Sequence, residues 1–277
     1  MPPAVPPGQV ADGASPARPG RPARPKRRSL RRWVPNQHGA WAMLVLPLGV
    51  GALRGEVGWL HLWLLVAWLV AYLAYFAATV WLKSGRKARY LLPVQVYGGV
   101  LAVAGGGLLI AEPELLRWGV VFAPLLAASL VYSARRAERA VANDVLTIVA
   151  TSLMAVIAYG LGAPDDGAWL PGAGHVPGWA LAAAAAAYLV GTALYVKTMI
   201  RERGNRAMYA ASVVYHVAVA AVFAWWLPFV GAFLAVMAVR ACLVPQHWPR
   251  ARPAAIGVAE VVCTVALAAI LLALPLV

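Results

Sequence analysis

The sequence predicts an all-α membrane protein with about nine transmembrane helices and its N-terminus inside the cell. Hydrophobic residues make up 62% of the 277-residue chain and charged residues only 12%, whereas a soluble domain is about 45–50% apolar and about 25% charged. Nine apolar segments approach the length of about 20 residues that crosses a bilayer, and basic residues gather in alternate connections. The composition therefore argues against a water-soluble enzyme and against a chain that is disordered throughout.

Residues 1–32 differ in composition from the rest and form the first predicted region. They are rich in proline and contain almost no large apolar side chains, so we expect a disordered cytoplasmic tail. The tail ends in a basic cluster, which consists of Arg21, Arg24, Lys26, Arg27, Arg28, Arg31 and Arg32. Such a cluster indicates contact with anionic lipid headgroups. A nucleic-acid patch and a twin-arginine export signal are the alternatives.

Residues 33–277 form the second predicted region, a polytopic transmembrane domain. Its apolar segments predict membrane helices at 38–54, 58–82, 90–111, 116–134, 142–162, 178–199, 207–225, 228–244 and 254–276. The eighth segment is short. Tryptophans at segment ends, such as Trp59 and Trp225, fit anchoring at the membrane interface.

The distribution of charge gives the predicted orientation. When the connections are numbered from an inside N-terminus, 22 of the 24 Lys and Arg residues fall on one side of the membrane. The exceptions are Arg54 and Arg117, which share the other side with five acidic residues. Cytoplasmic loops of membrane proteins carry an excess of Lys and Arg. We therefore expect nine spans, an outside C-terminus and location in the plasma membrane.

Three polar residues lie together at the cytoplasmic start of the first segment. Asn36, Gln37 and His38 follow Pro35 and place several donors and acceptors at one membrane depth. One interpretation is a helix cap with ordinary interface polarity, because Asn favours the N-cap position. The other is the polar wall of a ligand-binding cavity that faces the cytoplasm.

Charged groups at the ends of the next segments are further candidates for ligand binding. Lys83 directly follows the last apolar residue of the second segment and could turn inward, and Arg135 lies in the basic connection after the fourth. Asp144 stands near the start of the fifth segment. It either complements the helix dipole or pairs with an Arg or Lys that faces the cavity.

The end of the sixth segment contains the densest group of candidates. Lys197 and Arg201 are four residues apart and would share one face of a helix. Arg203 follows, and Glu202, five residues from Lys197, need not share that face. His216 lies well inside the seventh segment, where it is either bonded to a neighbouring carbonyl or functional.

A carboxylate in the last segment completes the set. Glu260 lies about two turns into the ninth segment, roughly 10 Å from its cytoplasmic start. At that depth it should pair with a base or be protonated. If the protein is an enzyme, which the sequence leaves open, His38, Glu202 and Glu260 are the acid–base candidates.

These groups are mostly cationic, so a cavity that they lined would favour an anionic ligand with an apolar tail. Carboxylate, phosphate and diphosphate heads all fit. We expect no metal site, because Cys242 and Cys263 form no CxxC pair. We also expect no cofactor and no nucleic-acid partner.

Residues 35–41, Pro-Asn-Gln-His-Gly-Ala-Trp, resemble the signature of the YwiC-like family of bacterial integral membrane proteins. The stretch 197–203, the pair Tyr215-His216 and Glu260 are also similar to features of that family. The resemblance covers residues 33–277. It implies an integral membrane protein and no particular activity.

A more distant resemblance is to UbiA-type prenyltransferases, which have nine helices, an inside N-terminus and a cavity open laterally to lipid. Residues 132–143, with Tyr132 and Arg135-Arg136, resemble the region after their fourth helix. Those enzymes hold magnesium with Asp-rich motifs after the second and sixth helices. Here the corresponding regions, 77–86 and 197–205, contain no Asp. Magnesium-dependent prenyl transfer is therefore disfavoured. Cationic side chains could replace the charge of the metal, namely Lys83, Lys197, Arg201 and Arg203.

Three functions follow from these residues. The first is binding of an isoprenoid or quinone-like anionic amphiphile in a cationic cavity that faces the cytoplasm. The second is proton-coupled transport, in which Asp144, His216 and Glu260 would relay protons, although no internal repeat is visible. The third is a non-catalytic assembly or scaffold role in a membrane complex.

Overall fold

A computed structural model describes residues 33–35, 38–273 and 275. The described chain contains no β-strand and forms nine α-helices: α1 (His38–Arg54), α2 (Trp59–Lys83), α3 (Leu91–Ala111), α4 (Gly119–Ala134), α5 (Val141–Leu161), α6 (Val176–Val196), α7 (Arg206–Trp226), α8 (Pro228–His247) and α9 (Pro253–Ala273). Short 3-10 helices, Ala88–Tyr90 and Pro113–Trp118, precede α3 and α4, and a π-helix, Lys197–Arg201, continues α6. The predicted all-helical class with nine helices is confirmed.

Eight of these helices are long and apolar enough to cross a membrane. The exception is α1, whose 17 residues span about 25 Å at the helical rise. The short eighth segment of the prediction is a helix of 20 residues. The described chain therefore has the architecture of a multi-pass membrane protein.

Helices α5 and α6 form the centre of the bundle. Their side chains are the most completely buried of the spans, whereas α3, α4 and α9 direct most of theirs outward, as lipid-facing helices do. Helix α5 packs between α1 and α6, α2 packs along α3, and α7 along α8. Small residues allow the close approaches: a Cβ added at Gly51 on α1 would overlap the backbone of Ala155 on α5.

The connections gather into two ends with opposite charge. We call the end formed by 55–58, 112–118 and 162–175 the acidic end. There the Glu56 amide donates to the Gly162 carbonyl at 2.9 Å, and Arg117 donates to the Trp169 carbonyl at 3.1 Å.

The opposite end, formed by 84–90, 135–140, 202–205 and 248–252, is the basic end. Its connections are linked by charged side chains, for example Lys83 with Glu138 at 3.0 Å. The predicted separation of basic from acidic connections is thus present in the fold. Which end faces the cytoplasm stays a prediction.

Candidate functional site

A buried lysine joins α6 to the start of α5 at the basic end. The Lys197 ammonium lies 2.5 Å from Oδ2 of Asp144 and donates to the Arg139 carbonyl at 2.6 Å. The Lys197 side chain is only 8% exposed. Asp144 lies in the first turn of α5, as the helix-dipole interpretation expects, and the structure also pairs it with a lysine; the N-cap position is occupied by Ala140. The charge of Lys197 is therefore neutralised within the protein.

The lysine begins the π-helix Lys197–Arg201, in which the backbone makes a wider turn than in an α-helix. The Glu202 amide donates to the Lys197 carbonyl at 2.8 Å, five residues back. Arg203 closes the turn, because its Nε and Nη2 both donate to the Met199 carbonyl, at 3.0 and 2.8 Å. Single π-turns inside α-helices occur frequently at functional sites; this one lies at the end of α6.

A cavity of about 510 Å³ opens beside this π-helix. Its lining residues are Arg139, Ala140, Val141, Lys197, Arg201, Glu202 and Met208. Arg139 and Arg201 are exposed, whereas the Glu202 carboxylate accepts a hydrogen bond from Asn205 at 3.0 Å. Because Asp144 neutralises Lys197, the two arginines supply the cationic character of the cavity.

A second cavity of about 290 Å³ lies on the other side of the π-helix, against the start of α7 and the end of α8. Its lining includes Arg203, Tyr209 and Gln246. Gln246 donates to the Tyr209 hydroxyl at 2.6 Å, and that hydroxyl donates to the Cys242 carbonyl at 3.0 Å. Gln246 and Tyr209 of this second cavity are thus bonded to each other.

A separate polar cluster lies within the spans, between α6, α8 and α9. Glu260 on α9 is 2.9 Å from Arg240 on α8. The Glu260 carboxylate also accepts from the Thr192 hydroxyl at 3.0 Å and from the Tyr188 hydroxyl at 3.4 Å. The Arg240 guanidinium lies over the Tyr195 ring, 4.2 Å from its centroid. The structure thus pairs this carboxylate with a base, away from the cavity at the π-helix.

His216 occupies a third place, buried between α7 and α6. Its Nδ1 lies 2.7 Å from the Ser212 carbonyl, and its ring packs against Gly191 on α6 so closely that a Cβ there would overlap it. This is the arrangement of a histidine bonded to a neighbouring carbonyl. The ring does not reach the cavity at the π-helix.

The other predicted ligand-binding residues lie elsewhere. Lys83 forms its ion pair with Glu138, and Arg135 is exposed. Asn36 and Gln37 lie outside the described residues, as does the side chain of His38. The candidates thus occupy several places, and the shared hollow expected from the sequence is divided into a cavity at the basic end and a cluster within the spans.

The loop carboxyl of Glu138 is held in its charged form. Partial burial alone would raise the pKa of Glu138, but hydrogen bonds from its own backbone and from Lys83, and the charge of that lysine, hold the pKa below its usual range. The pair therefore links the connections that follow α2 and α4.

Sequence reasoning missed several polar contacts that position these helices. Arg139 lines the cavity, but nothing in its basic connection distinguished it from Arg135 and Arg136. Thr192 and Tyr188, which hold Glu260, are four residues apart on α6, and that spacing was a usable signal of a polar face. His61 was also missed: it accepts the Gly58 amide at 3.0 Å, and its Nε2 donates to the Ala158 carbonyl at 2.8 Å.

Among residues 38–273, no group of three or more His, Cys, Asp or Glu side chains is arranged to hold a metal ion. No solved structure matches the chain significantly, so the arrangement of helices typical of UbiA-type enzymes stays a prediction.

The chain is similar in sequence to known proteins of one family. The family model described as YwiC-like protein matches residues 34–159. An uncharacterized protein named YwiC from Bacillus subtilis is 32% identical over 189 residues, which cover 68% of this chain and 75% of that protein. An uncharacterized protein from Haemophilus influenzae is 25% identical over 190 residues, which cover 69% of this chain and 76% of that protein.

Proposed function

The chain belongs to the YwiC-like family, and we propose that it binds the anionic headgroup of an isoprenoid-type amphiphile in the cavity at its basic end. In this proposal the protein resides in the plasma membrane, the basic end faces the cytoplasm, and residues 1–32 form a basic tail on the same side. The observation that carries the proposal is the cavity of about 510 Å³ beside the π-helix, with Arg139 and Arg201 on its wall.

The depth of this cavity suits an amphiphile. Its walls come from the start of α5, the end of α6 and the start of α7, so the cavity lies where the spans end and headgroups begin. Guanidinium groups bind phosphate and carboxylate through parallel hydrogen bonds. Val141 and Met208 add apolar surface that suits the first carbons of a tail.

The buried ion pair serves this cavity by positioning its wall. Lys197 is bonded to Asp144 and to the Arg139 carbonyl, so it fixes the backbone that carries Arg139 relative to the π-helix that carries Arg201. In our proposal the two arginines contact the headgroup, and Lys197 sets the distance between them. The proposal contains no chemical step.

Binding of farnesyl diphosphate to the purified full-length protein in a neutral detergent tests the proposal. We expect the double variant Arg139→Gln/Arg201→Gln to bind at least about tenfold more weakly, because each hydrogen bond between charged groups contributes about 1.5–3 kcal/mol. Both side chains are exposed, so the variant should fold. Farnesol, which has the same tail without the charge, should bind weakly to every variant.

The matched control is Arg86→Gln/Arg250→Gln, which removes the same charge from exposed positions of the basic end outside the cavity. This variant should retain the affinity of the unchanged protein for farnesyl diphosphate. Equal losses in the two double variants would assign binding to general charge attraction and contradict the proposal, and so would equally tight binding of farnesol.

A further inference from the structure

The ion pair of Arg240 and Glu260 has no role in the proposed headgroup site. Neither residue lines the cavity at the π-helix, and both lie about two turns inside their helices. Their side chains are 14% and 12% exposed, so they are nearly buried without being sealed. Ionised side chains inside a membrane are costly, and those that occur commonly mark ion or substrate pathways.

The partners of Glu260 suit a carboxyl group in either charge state. One carboxylate oxygen, Oε2, accepts from the Thr192 and Tyr188 hydroxyls at 3.0 and 3.4 Å. The Tyr188 hydroxyl also lies 3.1 Å from the Thr264 hydroxyl. Because a hydroxyl both donates and accepts, these hydrogen bonds can reverse direction when the carboxyl takes up a proton. The Glu260 side chain can therefore become neutral in place.

Arg240 keeps its charge whether Glu260 is ionised or neutral, and not all of its N–H groups are paired. Its Nη2 faces Glu260, and its Nη1 lies 3.4 Å from the Cys263 sulfur. Its Nε is buried and has no hydrogen-bond acceptor among the described residues. The stack on Tyr195 holds the guanidinium in position. A guanidinium binds a planar oxyanion through two parallel N–H groups. Here Nε lacks an acceptor, and the adjacent Nη2 becomes available when Glu260 is neutral.

Neutrality couples the two residues. If Glu260 became neutral alone, the Arg240 charge would remain unpaired in a medium of low dielectric constant, which is strongly unfavourable. An anion that replaces the carboxylate restores neutrality, and by linkage the proton and the anion then favour each other's binding. We infer that Arg240 and Glu260 form a site that takes up a proton and a monovalent oxyanion together.

The other charges around the carboxyl leave Glu260 as the group that exchanges the proton. The ionisable side chains around the Arg240–Glu260 pair are Arg240 on α8, Tyr188 and Tyr195 on α6, Cys263 on α9 and His216 on α7. Helix α1, which also packs on α9, has no ionisable residue between Ala40 and Leu53. Glu260 is the only carboxyl in this set.

Nitrate is the probe, because it is planar like a carboxylate and does not buffer near neutral pH. The full-length protein in a maltoside detergent, weakly buffered in sodium chloride, whose anion is not an oxyanion, is titrated with sodium nitrate at constant ionic strength. We expect uptake of about one proton per chain at saturation, and an apparent nitrate affinity that falls about tenfold for each pH unit above the midpoint.

Variants separate this site from other causes. Glu260→Gln should bind nitrate with an affinity independent of pH and take up no proton, and Arg240→Gln should lose both binding and uptake. Thr192→Val, which removes one hydroxyl from the carboxyl, should shift the midpoint while keeping the proton count. Glu112→Gln, a carboxyl at the acidic end, should behave as the unchanged protein.

The proposed headgroup site makes a different prediction, so the two can fail independently. Nitrate bound by Arg139 and Arg201 would cause no proton uptake, and the variant Arg139→Gln/Arg201→Gln should keep the uptake intact. Absence of uptake in the unchanged protein would overturn the inference and leave the ion pair as a structural contact between α8 and α9. Uptake that persists in Glu260→Gln would overturn it as well.

Discussion

The two ends of the bundle are closed by different kinds of interaction. At the acidic end the contacts between connections end on backbone carbonyls: the Glu56 amide bonds to Gly162, and the Trp118 indole donates to the Pro171 carbonyl at 3.1 Å. The ion pairs at this end, Arg117 with Glu114 and His175 with Asp166, each lie within one connection. Even the carboxylate of Asp166 is bonded to backbone amides, those of Ala168 and Gly174, at 2.9 and 2.7 Å.

The basic end is held mainly by ionised side chains, and both cavities described above lie there. Lys197 pairs with Asp144 across α6 and α5, and Lys83 pairs with Glu138 across two connections. A backbone amide has a fixed partner, whereas an ionised side chain can exchange its partner for a ligand. The comparison indicates that the acidic end mainly sets geometry and that ligand chemistry belongs to the basic end.

The largest effect on the free energy of unfolding is expected from removal of the carboxylate that pairs with Lys197. Asp144→Asn leaves a nearly buried ammonium without its carboxylate and should lower the free energy of unfolding by about 3–5 kcal/mol. Denaturant titration in mixed micelles, followed by circular dichroism, measures the change.

The double variant Asp144→Asn/Lys197→Met is the control, because it removes both charges and should recover most of the loss. A single variant as stable as the unchanged protein would show that the pair contributes little, and the contrast between the two ends would then disappear.

A smaller effect is expected from added volume at the acidic end. A Cβ at Gly162 would overlap the backbone of Glu56, so Gly162→Ala should cost about 1–3 kcal/mol of unfolding free energy. Gly119→Ala at the same end, where a Cβ meets open space, should leave the stability unchanged. Equal melting temperatures for the two variants would indicate that the acidic end is looser than its contacts suggest.

The sequence was sufficient to predict the helices, because hydropathy and length alone determine which segments can cross a bilayer. Each predicted segment overlaps one helix, and the boundaries agree within three residues. The π-helix was not predictable from these signals. Residues 197–201 have the composition of an ordinary helix end. Their wider turn is associated with the tertiary contacts of Lys197 and with the local bonds from Arg203 to the Met199 carbonyl.

The sequence predicted which residue types form the site, but it predicted their spatial arrangement only in part. Lys197, Arg201 and Glu202 do line one cavity, although the ideal α-helical spacing gave no reason to place Glu202 with Lys197. Glu260 required a base, but hydropathy does not reveal which helices are neighbours, so Arg240 could not be chosen over other arginines. For the same reason, the sequence could not show that His216 lies away from the cavity.

The smallest expected effect is a difference in salt sensitivity between the connections that contain the two loop carboxylates, Asp166 and Glu138. Burial alone would raise the pKa of Asp166, but the amides of Ala168 and Gly174 and the nearby His175 hold the pKa below its usual range, as Lys83 does for Glu138. Each lowered pKa stabilises the folded state above the ordinary carboxyl pKa, and that stability is lost as the pH falls through the lowered value.

The protection of the backbone amides in 163–175 and 135–140, measured by hydrogen exchange and corrected for the intrinsic pH dependence of the exchange rate, should therefore fall in both connections below about pH 4. At neutral pH, 0.5 M salt should accelerate exchange in 135–140 alone. The partly exposed Lys83–Glu138 pair is screened and contributes only about 0–1 kcal/mol, whereas salt does not displace the amide bonds of Asp166. Lys83→Met should reproduce the effect of salt at the basic end. Equal salt sensitivity in the two connections would contradict the distinction between backbone and ionic closure.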